Sequence, residues 1–196
     1  MEENLEQRSK FGSSPILKIV IFGPESSGKT TLARQLAEYY KTIWTPEFAR
    51  DYLQKKLDSG HGICDKDDML PIAKGQIKLE NESALQANKY LFCDTNLLVT
   101  KVFSEINYDF CDSLLDKAAR LHHYDLFFLT DIDVPWENDG LRDRPEDRET
   151  VFEIFKQSLI DKTIYYYFWR PKNAFDKNNF NHKRLEFGLE NGVYDC

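Results

Sequence analysis

The chain has 196 residues, is 41% hydrophobic and carries a formal charge of −7. Such a balance suits a folded chain with a substantial core and argues against a nucleic-acid surface, because phosphate backbones are held by Lys/Arg stripes and no basic block occurs here. Cys64, Cys93, Cys111 and Cys196 lack CxxC spacing and form no zinc pattern with the histidines, and no apolar run is long enough to span a bilayer, so reduced thiols and a cytoplasmic location are expected.

Met1 to Ser14 is polar and reads as a disordered leader, with residues 15–196 as one domain. The apolar run Ile16 to Phe22 is the first strand. It leads straight into Gly23-Pro24-Glu25-Ser26-Ser27-Gly28-Lys29-Thr30, which fits the P-loop pattern G-x-x-x-x-G-K-[ST]. In that strand-loop-helix setting the glycines let backbone N–H groups curl round phosphates, Lys29 supplies an ammonium to the β/γ oxygens, and Thr30 supplies a hydroxyl to Mg²⁺. The residues expected at the nucleotide are therefore Gly23, Glu25, Ser26, Ser27, Gly28, Lys29, Thr30 and Thr31. The helix that follows carries Leu32, Leu36 and Tyr40 at fourfold spacing and ends near Lys41.

A short strand is expected over 42–45. Thr45 then reads as an N-cap and Pro46 as the first residue of a second helix running to about residue 57. Glu47, Arg50 and Asp51 would share one face of its first turns, where a carboxylate can take the proton of a hydroxyl nucleophile. Ser59 to Gly62 is a break, and 67–88 reads as one long helix on the substrate side. The third strand, 90–94, is an apolar run closing on Asp94, the form of a strand whose carboxylate holds Mg²⁺ or its water, with Thr95-Asn96 adding polar groups.

Leu121 to Leu129 leads into a fourth strand over 125–129. The charge-dense stretch 131–148 reads as a lid, with Gly140 as hinge and Arg142, Arg144 and Arg148 as guanidinium groups for the phosphoryl charge. Trp136 in that loop is a candidate to stack on a base or a pyridinium ring, whereas Trp44 is expected in packing. His61, His122 and His123 have no triad partner and read as surface or helix-end residues. A helix over 145–160 places Phe152, Phe155 and Leu159 on its apolar side, a fifth strand covers 164–168, and 181–190 reads as a last helix.

Strands alternating with helices imply an α/β fold with a parallel sheet and helices on both faces, and the resemblance of Gly23 to Thr30 to the P-loop NTPases implies a three-layer sandwich with a five-stranded parallel sheet in the order 2-3-1-4-5. Ligands then lie beyond the carboxyl ends of the strands, where the P-loop, Glu47, Arg50, Asp94 and the start of the lid converge.

The segments Gly23 to Leu32, Pro46-Glu-Phe-Ala-Arg-Asp-Tyr52, Ile72-Ala-Lys-Gly-Gln76, Phe92-Cys-Asp-Thr95 and Asp139-Gly-Leu-Arg142 together resemble the nicotinamide riboside kinase domain of the NadR-type NAD-salvage proteins. The resemblance spans about Leu17 to Phe168. It implies an ATP- and Mg²⁺-dependent kinase that phosphorylates the ribose 5′-hydroxyl of nicotinamide riboside. Carried over, the P-loop binds ATP, Glu47 and Asp94 stand at the reacting hydroxyl and the metal, in either order of roles, and Arg142 comes from the lid. Family members carry an aromatic residue where this chain has Pro46, and aromatics in the third helix where it has Lys78 and Leu79. The family's adenylyltransferase domain has no counterpart here, so only the kinase step is expected. A kinase of another nucleoside and an NTP-dependent regulator are the alternative readings.

Overall fold

A computed structural model describes residues 16–136 and 147–169. Five strands, β1 (Leu17–Phe22), β2 (Ile43–Thr45), β3 (Tyr90–Asp94), β4 (Leu126–Thr130) and β5 (Tyr166–Trp169), form one sheet in the order β2-β3-β1-β4-β5. Every neighbouring pair runs parallel. The expected α/β architecture and strand order are therefore present. Its helices are α1 (Lys29–Tyr39), α2 (Phe48–Asp58), α3 (Met69–Ala84), α4 (Leu97–Tyr108), α5 (Ser113–Leu121) and α6 (Arg148–Asp161), with a 3₁₀ turn at Lys66–Asp68 ahead of α3.

The strands are apolar on both sides, and their side chains alternate between two cores. Ile19, Ile21, Phe92 and Phe128 pack with Leu32, Ala33, Leu36 and Ala37 of α1. Val20, Phe22, Leu91, Cys93, Phe127 and Leu129 pack on the opposite face with Leu98, Val99 and Val102 of α4 and with Val151, Phe152, Phe155 and Leu159 of α6. Each fully buried Leu, Ile or Phe in these layers contributes about 1.5–3 kcal/mol of transfer free energy. A third cluster, Met69, Ile72, Ala73, Leu97 and Leu115, holds α3, α4 and α5 together. Trp44 is half-buried against the α1 core, in the packing role expected of it.

Three elements differ from the sequence reading. Thr45 is not an N-cap: it pairs with Cys93 as the last residue of β2, fully buried, and the helix begins two residues after Pro46 with Glu47 as its N-cap. The expected helix over 67–88 is shorter, because a capping box between Asp65 and Asp68 starts a 3₁₀ turn and the helix ends at Ala84. Beyond it the Asn88 side-chain amide donates to the carbonyls of Tyr40 and Lys41 and draws the chain into the loop before β3. Residues 97–121 contain two helices that were not anticipated; in the first, the apolar run Leu97-Leu-Val99 has no helical period to distinguish it from a strand. Asn96 decides it locally: its side chain accepts the N–H of Val99 and caps α4.

At the amino ends of the strands lies a buried polar knot. Glu80 of α3 is 1% exposed, accepts from Lys18 (2.7 Å) and from Tyr124 (2.8 Å), and lies 2.9 Å from His122 Nε2. Burial alone would raise its pKa, but the His122 bond and the Lys18 charge outweigh that and hold the carboxyl below its ordinary value. His122 follows α5, at a helix end as expected, and belongs to this structural knot. It stands at the edge of the sheet opposite the P-loop.

Candidate active site

The carboxyl ends of β1, β3 and β4 bring the P-loop, Asp94 and Thr130 side by side. The turn at Gly23 is possible for glycine alone: φ is +149°, and an added Cβ would lie 2.4 Å from Thr130 Oγ1 and 3.1 Å from the Thr130 carbonyl oxygen. Ser27 completes the brace. Its Oγ donates to the Pro24 carbonyl at 2.7 Å and lies 2.7 Å from Thr130 Oγ1. The Ser27 hydroxyl thus rigidifies the loop, leaving its backbone to face a ligand. Gly28 caps α1 in the left-handed conformation, and Lys29 Nζ, 9% exposed as a residue, donates to the Pro24 carbonyl at 2.6 Å across the loop.

Thr30 and Asp94, the pair expected at the metal, meet directly: Thr30 Oγ1 donates to Asp94 Oδ2 at 2.5 Å. Asp94 is 1% exposed, and its other oxygen, Oδ1, is buried with no hydrogen-bond partner. An orphaned carboxylate oxygen beside a P-loop hydroxyl fits Mg²⁺, a hard cation that takes one or two protein oxygens and completes its shell with phosphate and water. Among the described residues no group of three or more His, Cys, Asp or Glu side chains able to hold a metal occurs.

The next residue, Thr95, turns the chain out of β3 with φ +77°, a strained conformation for a β-branched residue. That turn leaves Asp94 facing the P-loop while α4 departs. The Asp94 carboxyl is pushed up to about 6, chiefly by burial and next by the negative charge of Glu47, against the opposing effects of Lys29, the Thr30 bond and Arg50. Glu47, Lys29, Thr30 and Arg50 thus all lie within electrostatic reach of Asp94. Asp51 is exposed on α2.

On the other flank, Arg148 opens α6 and its guanidinium donates to the carbonyls of Ser26 (3.1 Å) and Val134 (2.9 Å), tying the P-loop tip to the chain leaving β4. Desolvation lowers its pKa, with Asp131 and Asp133 acting in the opposite sense. Trp136 lines a cavity with Pro24, Glu25, Phe103, Asn107, Arg148 and Val151, and its indole N–H is buried without a partner. It therefore stands at the P-loop tip between α4 and α6. Thr31 is exposed on the first turn of α1. Arg142, Gly140 and Arg144 lie outside the described residues.

Two contributors escaped the sequence reading. Thr130 is the hydroxyl residue immediately after the apolar run of β4, a position whose adjacency to the P-loop follows from the strand order. Gln76 was noted only within a motif; here it is 1% exposed and bonded to the backbone on both sides of Glu47.

The chain is similar to known proteins in sequence and in fold. The sequence profile of the AAA domain family matches residues 18–174. The chain is 30% identical over 153 residues to the trifunctional NAD biosynthesis/regulator protein NadR of Escherichia coli (strain K12), covering 73% of this chain and 36% of that protein, so it spans about a third of that relative. In three dimensions it resembles NadR in complex with NR, with a TM-score of 0.72 at 19% identity, covering 93% of this chain and 52% of that one. Thymidylate kinase from Ehrlichia chaffeensis aligns at a TM-score of 0.63 and 20% identity, over 90% of this chain and all of that one.

Proposed function

The chain belongs to the AAA domain family, and from that premise we propose that it is an ATP-dependent small-molecule kinase that transfers the γ-phosphate to the ribose 5′-hydroxyl of nicotinamide riboside. The likeness to NadR supports the acceptor class. One observation carries the chemistry: a P-loop threonine bonded to a buried strand-end carboxylate that keeps an unpartnered oxygen, with a second carboxylate, Glu47, close enough to raise it.

Phosphoryl transfer asks chiefly for positioning and for positive charge around the moving group. The P-loop N–H groups hold the phosphates, and Lys29 adds a compact charge at the β/γ oxygens. Thr30 and Asp94 would hold Mg²⁺, which, when bound, neutralises charge on those oxygens. Glu47 accepts the proton as the acceptor oxygen bonds to the γ-phosphorus and the bond to the β,γ-bridging oxygen breaks, releasing ADP. Arg50 offsets the negative charge that two carboxylates and a triphosphate concentrate there. Trp136 supplies a flat face beside the P-loop tip suited to an aromatic ring.

A coupled assay of phosphate transfer from ATP tests this, with nicotinamide riboside set against a panel of other nucleosides. Transfer to nicotinamide riboside, lost in Lys29→Ala, is the expected result. ATP hydrolysis indifferent to nicotinamide riboside, or transfer confined to another nucleoside, would replace the proposal.

A further inference from the structure

The start of a helix leaves N–H groups without intrahelical partners, and the N-cap side chain commonly satisfies one of them. Helix α2 departs from this. Its N-cap is Glu47, in an extended conformation (φ −69°, ψ 112°), and the Glu47 side chain makes no cap hydrogen bond. The task has passed to α3. Gln76 accepts the N–H of Phe48 at 2.8 Å through Oε1 and donates to the Pro46 carbonyl at 3.3 Å through Nε2. One buried amide therefore grips the backbone on both sides of Glu47.

The neighbouring residue reinforces the grip. The Phe48 ring occupies the space in which a Cβ on Gly75 would lie, with ring carbons 2.1 to 2.4 Å from that position. Only glycine at 75 lets the first residue of α2 press against the backbone of α3. Gln76 thus acts on Pro46 and Phe48, the two neighbours of Glu47, and Gly75 on Phe48, which gives a physical content to a motif the catalytic groups leave unexplained. A carboxylate that had to cap its own helix would be turned toward the helix N–H groups; relieved of that, Glu47 is available to the cleft.

We propose that Gln76 is a positioning residue for Glu47, capping α2 from the adjacent helix so that the Glu47 carboxylate is directed at the reacting hydroxyl, with Gly75 as the steric partner of the same dock. This rests on the kinase reading, in which Glu47 receives the proton.

The experiment is a double-mutant cycle in the full chain, measured as ATP-dependent transfer to the acceptor found active, with ATP binding and thermal melting recorded alongside. Gln76→Met keeps the shape and removes both bonds; Gly75→Ala displaces Phe48 by an independent route. Misplacing a reacting group by about 1 Å costs on the order of 10²-fold in rate. Each variant should therefore lower kcat about 10- to 100-fold with KM for ATP within about twofold. Placed in the Glu47→Gln background, each should cost less than about twofold more, because the group it positions is already gone. A full loss repeated in that background, or a kcat near wild type in both single variants, overturns the inference while leaving the kinase reading intact. A Glu47→Gln enzyme at wild-type rate would instead remove Glu47 from the reaction, and the inference with it. Should Gln76→Met fold too poorly to assay, Gly75→Ala carries the same comparison.

Discussion

Replacing Asp94 with asparagine should stabilise the ligand-free protein while destroying its activity. The carboxyl is 1% exposed and its pKa rises from 3.8 to about 6, first through burial and second through Glu47. Between those two values the native state binds more proton than the unfolded chain, so stability falls as pH rises through that window. At about 1.4 kcal/mol per unit, ionised Asp94 costs on the order of 3 kcal/mol at neutral pH. Asparagine keeps an acceptor for the Thr30 hydroxyl and cannot ionise. For a chain of this length such a gain corresponds to a rise in Tm of about 6–12 °C. Melting should be followed at pH 7.5, at pH 5 and near pH 4, in buffer free of nucleotide and divalent cation. The advantage of Asp94→Asn should be largest at pH 7.5, about half as large at pH 5, and about a fifth as large near pH 4, where wild-type Asp94 is protonated when folded while its unfolded carboxyl is still somewhat more than half ionised. A variant less stable than wild type at pH 7.5, or a difference independent of pH, would show that the carboxylate is well paired and would refute the argument. Its companion in the kinase assay is a steep loss of turnover with ATP binding retained, the trade-off expected where a strained group serves a reaction.

Two further substitutions separate loop geometry from scaffold stability. Gly23→Ala places a Cβ 2.4 Å from Thr130 Oγ1 at a φ of +149°, so it should abolish nucleotide binding measured by titration and lower Tm; unchanged binding would show that the Thr130 brace yields easily. Glu80→Ala strips Lys18, His122 and Tyr124 of their shared acceptor and should cost roughly 3 kcal/mol in urea unfolding, with KM for ATP unaffected, since the knot lies at the other edge of the sheet. A loss below about 1 kcal/mol would mean that water replaces the carboxylate readily.

Much of the fold was legible in the sequence because its signals are local. The run Leu17–Phe22 followed by Gly23 to Thr30 specifies strand, turn and helix within a few residues, and apolar runs separated by helices imply a parallel sheet whose carboxyl ends gather the ligand groups. Helices α4 and α5 were missed for different reasons: Leu97-Leu-Val99 is apolar without period and packs on two cores, whereas Ser113–Leu121 carries a strong amphipathic pattern, with Leu115 buried and Leu114 exposed, that the apolar runs around it overshadowed. The beginning of α2 was misjudged for a related reason. Thr45-Pro46 is a sound local helix start, but Thr45 is consumed by pairing with Cys93, and the cap comes from Gln76, 28 residues from the Phe48 N–H it accepts.

The sequence alone singled out the candidate reacting groups, Lys29, Thr30, Glu47 and Asp94, since each stands at or beyond the end of a predicted strand. Their state belongs to the folded arrangement: the bond from Thr30 to Asp94, the raised carboxyl, the grip of Gln76 on both sides of Glu47, and the tie of Arg148 from Ser26 to Val134. The division follows from range. Propensity and motif act over a few residues, whereas burial and charge act between residues that the strand order brings together from distant parts of the chain.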